Sequence, residues 1–138
     1  MLYIENGGFM KEITGGITAA KGYKATSCEA NIKYKNRTDM AMVFCETPAE
    51  CAGVFTSNVV KAACVQWDMK LAKSGEPMHA VVINSGIANA CTGKEGYEIC
   101  EKTADAVAEA LNIKPEQVCI GSTGVIGMLI KLSEAFHC

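Results

Sequence analysis

Two glycine-rich segments carry the residue types best suited to chemistry in this sequence. Residues 84–93 and 121–127 each follow a short apolar run that is typical of a buried strand. Glycine and other small residues let the backbone come close to a ligand, and backbone N–H groups there can stabilise negative charge. An oxyanion hole is made in this way. Ordinary tight turns are the alternative interpretation of both segments.

A nucleophile and a general base are harder to identify than an anion-stabilising segment. The two histidines are His79, at the start of an apolar run, and His137, the penultimate residue, where chains fray. Glu46 and Glu50 flank a turn, so both carboxylates are expected to be solvated. Lys94 follows glycine, but the next residue is not the Ser or Thr that a phosphate-binding P-loop requires. The residues therefore suggest anion stabilisation without the rest of a catalytic centre.

The eight cysteines are interpreted as reduced packing residues. No two of them form a Cys-x-x-Cys pair, and most lie in apolar runs, where a thiol packs as a small hydrophobic group. Disulfides and a metal site remain as the two alternatives. Reduced cysteines favour a cytoplasmic location.

Composition limits the class of protein further. A chain of 138 residues fits one domain. A net charge of −2 and the lack of a basic run argue against nucleic-acid binding, and the apolar runs are far too short to cross a membrane. Counted with glycine and without tyrosine, apolar residues make up about 56% of the chain, above the usual roughly 45–50% and high for a small domain with much surface. We infer that part of this surface contacts a partner rather than water.

The elements that must position the glycine-rich segments are strands mixed with helices. The predicted strands are residues 30–35, 40–44, 51–56, 79–84 and 117–120. Residues 40–44 and 51–56 are predicted to pair around a turn at 46–50, and 79–84 is predicted to be a central strand. The absence of repeats and of a linker indicates one α/β (α+β) unit.

Two helices complete this prediction. Residues 67–73 form one that ends at Ser74 and Gly75. The second begins at Thr92, where Glu95 three residues later completes the capping-box pattern, and Pro115 ends it. Its apolar stripe comprises Tyr97, Cys100, Ala104, Val107, Ala108 and Leu111.

Four blocks of sequence, in order, resemble the bifunctional arginine-biosynthesis family, also called ornithine (glutamate) acetyltransferases. They are Gly-Gly-Ile-Thr-Ala-Ala-Lys-Gly-Tyr at 15–23, Ala-Gly-Val-Phe-Thr-Ser-Asn at 52–58, the segment 82–93, and Ser-Thr-Gly-Val-Ile-Gly at 122–127. The resemblance implies a four-layer αββα sandwich of the ornithine acetyltransferase and N-terminal-nucleophile aminopeptidase type. It also implies a precursor that cleaves itself into an α and a β chain.

The resemblance further implies the reaction and its residues. The N-terminal Thr of the β chain is the nucleophile, with its own α-amino group as base, and it moves an acetyl group from N-acetylornithine to glutamate. Thr123, through its hydroxyl, and Gly124, through its backbone N–H, form the oxyanion hole. No cofactor is implied. Use of acetyl-CoA as a co-substrate separates the bifunctional from the monofunctional members of the family, and the sequence leaves both alternatives open. Ile87 stands where the family usually has Asn.

This resemblance also predicts how the chain is organised. Residues 1–138 form a single incomplete domain covering most of an α chain, with a leader at 1–12 and a tail at 128–138 that departs from the family pattern. The implied partner is the β chain of the same precursor, in a heterotetramer of two α and two β chains in the cytoplasm. This chain alone is expected to be inactive. The alternatives are a fragment of a related N-terminal-nucleophile aminopeptidase and a non-catalytic fragment.

Overall fold

The computed structural model describes residues 13–132, and within that range four strands form one sheet. The strands are β1 (Tyr23–Cys28), β2 (Met40–Ala49), β3 (Met78–Ile87) and β4 (Val118–Val125), in this order across the sheet. Strand β2 is antiparallel to both β1 and β3, whereas β3 and β4 are parallel. The helices are α1 (Ala63–Ser74) and α2 (Gly93–Leu111), with short 3-10 turns at Ile17–Ala19 and Pro115–Gln117. The predicted mixed α/β class is confirmed, while the leader 1–12 and residues 133–138 of the tail lie outside the described residues.

Helix α2 is the crossover that makes β3 and β4 parallel, since parallel neighbours need such a connection. Its predicted apolar stripe is confirmed, because all six residues belong to the main core or pack against it. The capping box does not form: the Thr92 hydroxyl donates to Asn89 Oδ1 (2.9 Å) and no side chain caps the helix. The helix also ends before Pro115, because Asn112 adopts a left-handed conformation (φ 53°).

Helix α1 ties the same core to β4. Trp67 is 4% exposed, and its Nε1 donates to the Val118 carbonyl (2.9 Å). The carboxylate of the next residue, Asp68, accepts from the Ile120 N–H (2.9 Å). The helix ends at Ser74 with Gly75 in the left-handed region (φ 73°), as the sequence predicted. The helix thus holds the strand that runs directly into the second glycine-rich segment.

Two of the predicted strands are wrong. Residues 30–35 form bends rather than a strand, because Asn31 and Asn36 adopt positive φ values and the Asp39 carboxylate binds the backbone of this loop. Residues 51–56 have no regular structure. The predicted turn at 46–50 is largely strand, as β2 continues to Ala49 through an irregularity in its register. Strand β2 therefore pairs with β1 and β3 rather than with residues 51–56.

The two faces of the sheet differ in what covers them. Met78, Ala80 and Val82 point towards the helices and are at most 6% exposed. The alternate residues Val81 and Ile83 point to the opposite face and are 37% and 41% exposed. This outer face is apolar and uncovered within residues 13–132. It accounts for part of the apolar excess noted in the composition.

We expect Asp68 to make stability depend on pH. Burial raises the pKa of its carboxyl from 3.8 to about 6. The hydrogen bond from the Ile120 N–H lowers this pKa, but its effect is smaller than that of burial. Because the folded chain holds this proton more tightly, the free energy of unfolding should fall as pH rises from about 4 to about 6. In Asp68→Asn the side chain still offers an oxygen to Ile120 but cannot ionise, so this fall should disappear. Urea unfolding at several pH values compares the wild type with Asp68→Asn. If the free energy of unfolding changed equally with pH in the two proteins, the prediction would be contradicted.

Candidate functional site

The two glycine-rich segments are neighbours in the sheet. Strand β3 continues through Asn84 to Ile87, β4 continues through Ser122 to Val125, and Gly86 lies opposite Gly124 in the parallel register. The interpretation that these segments begin as loops or turns directly after their strands is therefore wrong. The parallel ladder extends through the first part of each. The sequence correctly joined each segment to an apolar strand but did not show that the two segments pair with each other.

Two glycines allow this close approach. Gly124 has φ 132°, and a Cβ there would overlap the carbonyl group of Gly86. Gly86 has φ 105°, and a Cβ there would lie 3.1 Å from the Cβ of Lys33. Residues with side chains rarely adopt such φ values. Gly86 is consequently packed between Lys33 on one side and Gly124 on the other.

A buried amide fixes the ends of the two strands. Asn84 is 6% exposed, and its Oδ1 accepts from the Ser122 hydroxyl (2.6 Å). Its Nδ2 donates to the Ile87 carbonyl (2.9 Å). The Asn84 side chain thus uses both its donor and its acceptor. It links Ile87, at the end of β3, to Ser122 in β4, the residue before Thr123. The network therefore limits how far this end of the sheet can shift.

Thr123 follows Ser122 and points to the opposite, outer face. The residue is exposed, and its hydroxyl has no hydrogen-bond partner among residues 13–132. Because its side-chain donor is not used within the described chain, it is available to a ligand. The structure thus brings the two predicted site residues, Thr123 and Gly124, to an accessible position at the end of β4.

A cavity of about 280 Å³ opens at this position. Its lining comprises Lys33, Tyr34, Arg37, Asp39, Ser85, Gly86, Thr123, Gly124 and Val125. The sequence interpretation did not single out Lys33, Tyr34 and Arg37, because it assigned most of this region to a strand. Arg37 is the only arginine in the chain, and that was the one signal that pointed here.

Asp39 holds the loop that carries these cationic residues. Its Oδ1 accepts from the Ala30 N–H and its Oδ2 from the Ile32 N–H, both at 2.8 Å. The Asp39 carbonyl also accepts from the Ser85 N–H (2.8 Å), which attaches the loop to β3 beside Gly86. Asp39 is 6% exposed, so its carboxylate interacts with these backbone N–H groups rather than with a ligand in the open cavity.

Ile87 has a structural role at the position where the resembling family usually has Asn. It is 3% exposed and packs in a small apolar cluster with Ala30, Ile32 and Ile130. A polar side chain would need a hydrogen-bond partner inside this cluster. The cluster therefore explains why an apolar residue is accommodated here, and Ile87 itself is not among the residues that line the cavity.

The cysteines mostly pack as predicted. Burial raises the pKa of the Cys64 thiol, and it raises those of Cys100 and Cys119 to about 12, which disfavours the nucleophilic thiolate. Six cysteines within 13–132 are free thiols, but Cys28 is disulfide-bonded, so the prediction of reduced cysteines is wrong at that position. His79 is half-buried, with Nδ1 2.9 Å from the Cys45 carbonyl oxygen.

Two other kinds of feature are absent from the part of the chain that the structure describes. Residues 13–132 contain no cluster of three or more His, Cys, Asp or Glu side chains that could hold a metal ion. In the same range, neither helix is long and apolar enough to cross a membrane.

Comparison with known proteins identifies relatives across nearly the whole chain. The model of the ArgJ family matches residues 24–137. The arginine biosynthesis bifunctional protein ArgJ 1 of Nostoc sp. (strain PCC 7120) is 43% identical over 122 residues, which are 88% of this chain and 30% of that protein. The chloroplastic ArgJ of Oryza sativa subsp. indica is 45% identical over 122 residues, 88% of this chain and 26% of that protein. The chain thus spans less than a third of the length of these curated relatives.

Two solved structures share the fold. The ArgJ structure from Bacillus halodurans superposes with a TM-score of 0.83 at 35% identity, covering 89% of this chain and 64% of that one. Ornithine acetyltransferase from Mycobacterium tuberculosis, complexed with ornithine, has the same TM-score at 41% identity, covering 88% of this chain and 66% of that one.

Proposed function

The chain belongs to the ArgJ family, and on that premise we propose that it is the oxyanion-binding part of an acetyltransferase that moves an acetyl group from N-acetylornithine to glutamate. The observation that carries the proposal is the pairing of Gly86 with Gly124, which puts the Thr123 hydroxyl, without a hydrogen-bond partner among residues 13–132, beside a cationic cavity. The ornithine bound to the relative from Mycobacterium tuberculosis supports an amino-acid substrate. The names of the relatives support a role in arginine biosynthesis.

The proposed reaction has two acyl-transfer steps. In the first, the hydroxyl oxygen of the β-chain Thr attacks the acetyl carbonyl carbon, and its proton passes through the α-amino group to the departing ornithine nitrogen. This breaks the amide bond and leaves an acetyl ester on the Thr. In the second, the glutamate amine attacks the ester, and the proton it loses returns to the Thr oxygen. Both steps pass through a tetrahedral intermediate with a negatively charged oxygen.

Thr123 and Gly124 are proposed to bind that oxygen. The Thr123 hydroxyl and the Gly124 N–H would donate to it as the carbonyl becomes tetrahedral. Donors held in place before the reaction stabilise the developing charge without reorganising. The ester itself carries the acetyl group between substrates, so the proposed transfer needs no cofactor. Acetyl-CoA would act as a second acetyl donor at the same oxyanion hole.

The nucleophile is proposed to lie on a β chain of the same precursor. The uncovered outer face of the sheet, with Val81 and Ile83, supports an apolar partner layer of the αββα type. A heterotetramer of two α and two β chains in the cytoplasm is part of this proposal, although the rice relative is named as chloroplastic. The names of the reported relatives favour acetyl transfer over the aminopeptidase alternative.

The decisive experiment supplies the Thr-bearing segment. We expect no acetyl transfer from this chain alone, and transfer from N-acetylornithine to glutamate when the segment is joined to it or co-expressed with it. The control is the same complete protein with the nucleophilic Thr replaced by alanine, which should be inactive. Transfer by this chain alone would overturn the assignment, and release of free acetate that glutamate does not redirect would indicate a hydrolase.

A further inference from the structure

The loop beside the proposed oxyanion hole holds two positively charged side chains against one aromatic ring. The Lys33 Nζ lies 4.9 Å from the centre of the Tyr34 ring, and the Arg37 Cζ lies 5.4 Å from it. Contact with the electron-rich ring stabilises both cations. All three residues line the cavity that Thr123 and Gly124 also line.

Neither cation is neutralised by the described chain. The ion pairs within residues 13–132 are Lys24–Glu46 and Lys94–Glu98, so Lys33 and Arg37 form none there. Asp39 is the one acidic residue of the lining, and both its carboxylate oxygens already accept backbone N–H groups. The cavity therefore presents unpaired donors to an anion.

The cations are close to the position where the reaction is proposed to occur. Lys33 packs against Gly86, and Gly86 packs against Gly124. A ligand that fills both the cavity and the oxyanion hole therefore needs an anionic group only a few bonds from its reacting carbonyl. This requirement narrows the choice of ligand.

We propose that Lys33 and Arg37 bind the α-carboxylate of the amino-acid substrates. The inference rests on the proposed function. In N-acetylornithine the carboxylate carbon is three bonds from the acetyl carbonyl carbon, and in glutamate a carboxylate is on the carbon that bears the attacking nitrogen. A guanidinium binds a carboxylate with two parallel hydrogen bonds, which fixes its orientation as well as its position. The same charges repel the side-chain ammonium of ornithine and direct it away.

The test compares two acetyl donors in the complete enzyme. N-acetylputrescine is N-acetylornithine without its carboxylate, and it retains the amide and the distal ammonium. We expect Arg37→Gln and Lys33→Gln each to lower kcat/KM for N-acetylornithine by about 10- to 100-fold. With N-acetylputrescine, the variants and the wild type should react at similar rates. Lys35→Gln is the matched control, because Lys35 is an exposed neighbour that does not line the cavity.

A second arm separates donor from acceptor. Single-turnover acetylation measures the donor, and transfer from the preformed acetyl-enzyme to glutamate, relative to its hydrolysis by water, measures the acceptor. We expect both to weaken in Arg37→Gln, while hydrolysis by water stays unchanged. An effect on the donor alone would overturn the acceptor half of the proposal.

Binding measurements keep this inference distinct from the proposed function. Calorimetry gives Kd for N-acetylornithine and N-acetylputrescine without requiring turnover. If the wild type binds the carboxylate-bearing compound more tightly and Arg37→Gln removes the difference, the inference stands even if no acetyl group is transferred. If the wild type transfers acetyl groups but both variants retain its preference for N-acetylornithine, the inference is wrong and the proposed function stands.

Discussion

Thr123→Ala in the complete enzyme is expected to lower the rate constant for acetylation of the nucleophile by about 100- to 1,000-fold. The reason is that the hydroxyl would donate to an oxygen whose charge develops only as the tetrahedral intermediate forms. The neutral carbonyl of the bound substrate gains much less from the same donor. KM for N-acetylornithine should therefore change little while kcat falls.

The stability of the protein should not change with this substitution. Thr123 is exposed, and its hydroxyl has no partner among residues 13–132, so its removal leaves no described group unpaired. We expect the free energy of unfolding to stay within about 0.5 kcal/mol of the wild type. This separates a catalytic effect from a folding defect.

Thr123→Ser is the matched control, because it keeps the hydroxyl and removes only a methyl group. Its acetylation rate should stay within about tenfold of the wild type. Rapid-quench measurement of acetyl-enzyme formation compares the three proteins directly. An unchanged rate in Thr123→Ala, or an equal loss in both variants, would show that the Thr123 hydroxyl does not bind the oxyanion.

Prediction from the sequence succeeded where local pattern and tertiary packing agree. Helix α2 illustrates this, because its stripe at spacings of three and four is the face that packs on the sheet. Thr123 and Gly124 are predicted from their motif; the structure puts them at an accessible strand end, and their catalytic role stays a prediction. The pairing of Gly86 with Gly124 could not be predicted, because parallel register depends on how the crossover helix packs rather than on local sequence.

The loop at 29–38 shows why other parts failed. Alternation of Ile32 and Tyr34 is typical of a strand, but two buried hydrogen bonds to Asp39 stabilise a turn instead. That carboxylate comes from a residue seven or nine positions away, outside the window in which alternation is judged. The cationic residues of the cavity converge only through this turn, so no spacing rule identified them.

Gly124→Ala should destabilise the fold far more than an ordinary glycine substitution. A Cβ at this position would overlap the Gly86 carbonyl group, and the φ of 132° is one that alanine rarely adopts. Backbone atoms cannot move aside as the end of a side chain can, so the two strand ends must separate. Separation would also disturb the hydrogen bonds of Asn84. We expect a loss of about 4 kcal/mol or more in the free energy of unfolding.

Gly127→Ala is the control that isolates the overlap from the backbone conformation. Gly127 also has a positive φ, at 80°, but no atom lies within 4 Å of the position of its Cβ. Strain alone should therefore cost about 1–2 kcal/mol in this variant. Urea unfolding of both variants gives the comparison. If Gly124→Ala were no less stable than Gly127→Ala, the close approach of Gly86 and Gly124 would be wrong, and with it the geometry on which the proposed oxyanion hole depends.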